Sequence, residues 1–164
     1  MNRFRTSILA AAVLALVAAT SASALASATK VVAFTGTYAG QASALVSGNV
    51  ATISATGAGK GTLIGTGKII GHGTGDSSQQ PCIPFGGTGT ISGAGGTISY
   101  KVVPGSSGCG DEGGHTFTVT AHLTVVKATG KLLKAKGTLK LAGVYNHDDG
   151  SFSVKVSGNL TKPS

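Results

Sequence analysis

From Thr116 to Val125 the chain alternates strictly, with Phe117, Val119, Ala121, Leu123 and Val125 on one side and Thr116, Thr118, Thr120, His122 and Thr124 on the other. A period of two puts one set of side chains on each face of a β-strand, so this segment is a strand with one apolar face and one wet face. The pattern recurs. Ile98, Tyr100 and Val102 oppose Thr97, Ser99 and Lys101, and Phe152, Val154, Val156, Gly158 and Leu160 oppose Ser151, Ser153, Lys155, Ser157 and Asn159. Near the start, Val32, Phe34, Gly36 and Tyr38 oppose Thr35 and Thr37. No apolar pattern of period 3.6 is sustained beyond the first 28 residues, which leaves no room for crossover helices and points to antiparallel sheet.

Further candidate strands are Gln41 to Val46, Val50 to Thr56, Gly61 to Ile70 and Thr88 to Ser92, making eight or nine short strands joined by tight turns. The fold expected is all-β, an antiparallel closed β-barrel of about eight strands, with a β-sandwich as the alternative. The least regular stretches are His72 to Gly86 and Pro104 to Gly114, expected as loops. Each holds one of the two cysteines, Cys82 and Cys109. A disulfide between them would staple the two loops, closing about 28 residues for roughly 3–4 kcal/mol on the chain-entropy model.

Residues 1–28 read as a secretory signal peptide. Arg3 and Arg5 precede an apolar run from Ile8 to Ala19, and small residues follow in two A-x-A sites ending at Ala24 and Ala28. The apolar run is short for a membrane span, and no later segment is a transmembrane candidate. Residues 29–164 then form one domain, secreted or otherwise extracytoplasmic, where a disulfide persists.

Removing Arg3 and Arg5 from the thirteen cations leaves eleven lysines, and against five acids the charge is +6. Without arginine or tryptophan, sequence-specific nucleic-acid recognition is not expected. Lys127, Lys131, Lys134, Lys136 and Lys140 follow one another with no acid between them. Such a run protects an exposed sheet edge, or binds an anionic polymer or surface.

Chemical motifs fail on spacing. Gly57-Ala58-Gly59-Lys60-Gly61-Thr62 lacks the Ser or Thr after lysine and the following helix of a phosphate loop. Asn146-His147-Asp148-Asp149-Gly150 has Tyr145 and His147 where a calcium loop needs acids, and reads as a hairpin turn. Asp111, Glu112 and His115 have no nucleophile elbow to serve, His72 and His122 stand singly on or beside strands, and Cys82, Cys109 and His115 lack paired ligand spacing. No catalytic residue, metal or cofactor is assigned. Asn159-Leu160-Thr161 is a formal glycosylation sequon.

Glycine recurs on strand faces: Gly65 and Gly67 with Leu63 and Ile69, and Gly87, Gly89 and Gly93 with Ile91. Inward glycines mark sharp coiling or close approach of a large neighbour, or they leave space for a ligand. Gly65, Gly67, Gly87, Gly89, Tyr100 and Phe117 are the candidate interior lining.

Thr129-Gly130-Lys131-Leu132-Leu133-Lys134-Ala135-Lys136-Gly137 resembles the T-G-x-[FL]-x-x-A-[KR]-G motif of the allene oxide cyclase/dirigent-type barrels, as also met in exported bacterial proteins of unknown function. As in that superfamily, it follows a long strand and precedes the last strands. Leu132 stands where Phe is common, and Lys127-Ala128 where a Gly pair is usual. The resemblance implies an eight-stranded antiparallel barrel, and none of the family's catalytic residues maps onto this chain. Two functions are carried forward: a secreted non-enzymatic barrel binding an anionic extracellular or cell-envelope partner through its lysines, and a cyclase- or dirigent-like barrel holding a small apolar molecule inside. The oligomeric state is left open.

Overall fold

A computed structural model describes residues 28–164. The signal peptide expected over 1–28 lies, apart from Ala28, outside the described residues.

Eight antiparallel strands form a closed barrel in chain order: β1 (Thr29–Ser47), β2 (Val50–Gly61), β3 (Gly65–Asp76), β4 (Cys82–Gly93), β5 (Gly96–Gly110), β6 (Thr116–Ala128), β7 (Lys136–Asn146) and β8 (Ser151–Pro163). Each strand pairs with its sequence neighbours, and β1 closes on β8 in register from Thr29↔Pro163 to Gln41↔Ser151. Side chains alternate inward and outward as the pattern demands. Phe34, Tyr38, Ile91, Ile98, Leu123, Val156 and Leu160 are buried inside, while Thr118, His122, Ser153, Lys155 and Asn159 face out. Apolar inside and polar outside is the reverse of a membrane-spanning barrel.

The two candidate strands Val32–Tyr38 and Gln41–Val46 are one strand, β1. Ala39 and Gly40 do not break the alternation, and even-numbered positions stay inward through both halves. Conversely, the candidate Gly61–Ile70 contains a hairpin turn. Leu63 sits in it at φ 66°, exposed, and Ile64 takes the buried position expected for Leu63.

The expected loops His72–Gly86 and Pro104–Gly114 are largely strand, because β3 runs to Asp76, β4 begins at Cys82 and β5 runs to Gly110. What broke their pattern is register shift: bulges lie between Pro84 and Gly87 and between Val103 and Ser107. Ser106, buried in the second bulge, donates to the Val103 carbonyl (2.8 Å) and accepts from the His122 amide (3.0 Å). The cysteines do form a disulfide, but not between loops: Cys82 and Cys109 are register partners on β4 and β5.

The motif Thr129–Gly137 forms the stopper of one barrel end. The Thr129 hydroxyl accepts the Thr97 amide (3.0 Å), Gly130 packs at φ 62° against the Gly95 backbone, and a single 3₁₀ turn (Gly130–Leu132) drives Leu132 inward. Leu132, Ala135 and Ala128 are almost wholly buried there. Closure also removes every free sheet edge, so edge protection does not account for the lysines.

Candidate functional site

The barrel interior has two unlike halves. Toward the stopper, Phe34, Tyr38, Ile64, Ile91, Ile98, Leu132 and Leu160 fill the axis. Glycines make room for the rings: a Cβ at Gly61 would lie 2.7 Å from the Tyr38 hydroxyl and 3.0 Å from Phe34, and one at Gly57 would lie 2.6 Å from Phe152. Toward the other end the inward positions of the first strands are mostly small, Ala42, Ala44, Ala51, Ala55, Gly71 and Gly73, with Ile53 and the rim residue Val46 the larger ones among them. The larger side chains of the facing strands do not reach across the space, and a cavity of about 620 Å³ remains, open at that end. Its floor and walls include Ile69, Tyr100, Leu123, Phe152 and Val154, and its mouth lies between the turns around Gly48, Ser77, Gly114 and His147. The shape is a cup with one opening, in the size range of small-molecule sites.

None of the residues lining the cup is an acid, lysine or cysteine. Its polar groups are few. The Tyr100 hydroxyl donates weakly to the Ile70 carbonyl (3.3 Å), and burial pushes its pKa up to about 12, so it is a neutral donor at physiological pH. Burial likewise raises Tyr145, partly offset by a backbone hydrogen bond at Ala44. At the mouth the rings of Phe117, Tyr145 and His147 stand 6.2–6.4 Å apart, tilted or edge-on. The cup thus offers an apolar wall and phenol donors, with no buried base or nucleophile.

Two loops beside the mouth are tied together. His115 Nδ1 meets the Asp148 carboxylate at 2.9 Å, and the His147 amide donates to the His115 carbonyl (2.7 Å). The Asp148 hydrogen bond, then its charge, hold the His115 pKa above the ordinary value. Asp111 accepts the His115 and Thr116 amides, and Asn146 accepts the Asp148 and Asp149 amides, the hairpin chemistry its sequence called for. His72 and Ser54 share a 2.9 Å hydrogen bond between β3 and β2. The disulfide takes up both cysteines and so removes them as metal ligands beside His115.

Of the sequence-derived lining residues, Tyr100 and Phe117 face the cup. Gly65, Gly67, Gly87 and Gly89 do not line it. Gly65 is a turn residue at φ 79°, Gly67 abuts the Ser92 carbonyl, Gly87 the His72 carbonyl, and Gly89 lies beneath the Tyr100 ring. The wall residues that sequence reasoning missed include aliphatic and aromatic side chains such as Ile69, Leu123, Tyr145, Phe152 and Val154, and the small residues that make the space, the alanines and Gly71 and Gly73. The signal for Gly71 and Gly73 was their shared phase with Ile69 and Gly75, hidden because glycine adds nothing to an apolar count. Lys127, Lys131, Lys134, Lys136 and Lys140 are all exposed, the first four at the stopper end and Lys140 midway along β7, away from the mouth.

The chain matches no known family model and no curated protein.

Proposed function

We propose that this barrel binds a small, largely apolar molecule in its cup, without converting it chemically, in an extracytoplasmic compartment. The observation that carries this reading is the one-ended apolar cavity of about 620 Å³, left by small inward residues on β1 to β3. A cavity lined by alanine and aliphatic side chains favours an apolar occupant, and the Tyr100 and Tyr145 hydroxyls favour one that carries a hydrogen-bond acceptor. The resemblance of Thr129–Gly137 to allene oxide cyclase/dirigent-type barrels supports an interior ligand, and the leader-like first 28 residues and the disulfide support export.

The test is titration with an uncharged anthracene fluorophore, whose emission rises on leaving water. The wild type is expected to bind it with a Kd in the micromolar range. Ala44→Phe and Ala55→Phe, which place a ring in the cup, are expected to weaken binding more than about tenfold, equivalent to about 1.4 kcal/mol. Binding unchanged by both substitutions, in variants that unfold at the wild-type urea concentration, would overturn the reading.

A further inference from the structure

Charge is sorted along the barrel axis in a way that the cup does not require. All five acids, Asp76, Asp111, Glu112, Asp148 and Asp149, stand at the end that carries the mouth. None of the eleven lysines does. Lys60, Lys127, Lys131, Lys134, Lys136 and Lys162 stand at or next to the stopper end. These residues are scattered through the sequence, and the up-and-down strand order gathers each sign to one end.

The stopper end is also amphipathic. Leu133, between Lys131 and Lys134, is 59 % exposed, and Leu63, at the tip of the β2–β3 turn, is 39 % exposed. Leu63 and Lys134 are the two non-glycine residues with positive φ among the described residues, at 66° and 61°. Bulky residues rarely adopt that region, and at Leu63 it accompanies an outward side chain beside a buried Ile64. The loops carrying these residues form one surface: the Gly95 amide donates to the Ile64 carbonyl (2.9 Å), the Lys131 amide to the Gly95 carbonyl (2.8 Å), and Lys162 Nζ to the Lys131 carbonyl (3.2 Å).

We infer that the stopper end docks on an anionic lipid surface. The lysines engage the headgroups, Leu63 and Leu133 enter the interfacial layer, and the acidic mouth is held away from the membrane. Lysines near an anionic leaflet each strengthen binding about fivefold, and exposed aliphatic side chains add affinity only where there is an apolar layer to enter. A soluble polyanion would use the lysines and leave the leucines idle, so the pairing of the two favours lipid. The mouth has its own exposed apolar residues, Leu45, Val46 and Val50, but they lie at the end that gathers the acids, which an anionic surface repels.

The chain has no tryptophan, so an introduced one reports alone. The purified protein is mixed with vesicles of phosphatidylcholine, with and without phosphatidylglycerol. Leu133→Trp emission is expected to shift to the blue only with phosphatidylglycerol, while Val46→Trp emission stays unchanged. The triple change K131Q, K134Q and K136Q is expected to lower partitioning by at least about tenfold, as is raising salt to about 1 M, where screening shortens to about 3 Å. Leu63→Ser with Leu133→Ser is expected to weaken vesicle binding several-fold and to leave binding to soluble polyglutamate unchanged. A blue shift at Val46→Trp in place of Leu133→Trp, vesicle binding indifferent to the leucines, or no partitioning at all would each overturn the inference. Fluorophore binding in the cup, measured on the lysine and leucine variants, reports separately on the interior site.

Discussion

Tyr38 and Tyr100 both point into the barrel axis and differ in the fate of one oxygen. The Tyr38 hydroxyl is buried with no hydrogen-bond partner, whereas the Tyr100 hydroxyl has the Ile70 carbonyl at 3.3 Å. An unpaired buried hydroxyl costs about 1–3 kcal/mol, and removing it recovers part of that. Tyr38→Phe is therefore expected to raise stability by about 1 kcal/mol, and Tyr100→Phe to lower it by about 0.5–1 kcal/mol, read from urea unfolding. The glycine beneath Tyr100 is less tolerant. A Cβ at Gly89 would overlap both the Tyr100 hydroxyl and the Ile70 carbonyl, and backbone cannot swing aside as a side chain can. Gly89→Ala is expected to lower stability by about 2–3 kcal/mol in the same assay. Inward glycine as a seat for a large ring was one of two meanings open in the sequence. Which glycines seat rings and which border the cup depends on neighbours across the sheet, and a one-dimensional pattern does not carry that.

At the level of strands and turns, the mouth is shaped by hairpins whose side chains bond their own backbone, and by ties between them, one of which titrates. His115 and Asp148 bridge the β5–β6 and β7–β8 turns. Because pairing raises the folded-state pKa of His115 above 6.5, the tether is complete at pH values below 6.5 and fades as pH rises through the raised value. Proton NMR is expected to show His115 titrating above the ordinary histidine value in the wild type and returning toward it in Asp148→Asn. A titration unmoved by that substitution would mean that the side-chain tether is not made in solution. The elements themselves were unevenly legible. Phe117 to Val125 announced β6 because every inward position carries an apolar side chain. Gly71, Gly73 and Gly75 concealed the end of β3, and two bulges disguised the start of β4 and the end of β5, since an inserted residue reverses the phase on which a period of two depends. The Thr129–Gly137 motif, read as an architectural mark, proves to be the plug of the closed end.

For the molecule as a whole, what the sequence hid is polarity. Asp76, Asp111 and Asp148 are far apart in the chain, and only the count of strands between them puts them on one rim. One miscounted hairpin would have sent an acid to the wrong end. The same ordering makes the β1–β8 ladder unlike the others. Seven ladders join strands that a short turn already holds together, while the eighth joins Thr29 to Pro163 across nearly the whole chain. Loop-closure entropy must be met before that contact gives anything back, so neighbouring hairpins are expected to zip early and the seam late. Trimming a seam side chain, as in Val156→Ala, is then expected to speed unfolding and leave the refolding rate nearly unchanged, whereas Leu123→Ala on β6 slows refolding, both read by stopped-flow in urea. Until the seam shuts, β1 and β8 each expose a full row of unpaired amides and carbonyls. The interval between the last hairpin and closure is the one stage at which this chain can capture a strand from its neighbour, and aggregation during refolding should track the lifetime of that open sheet.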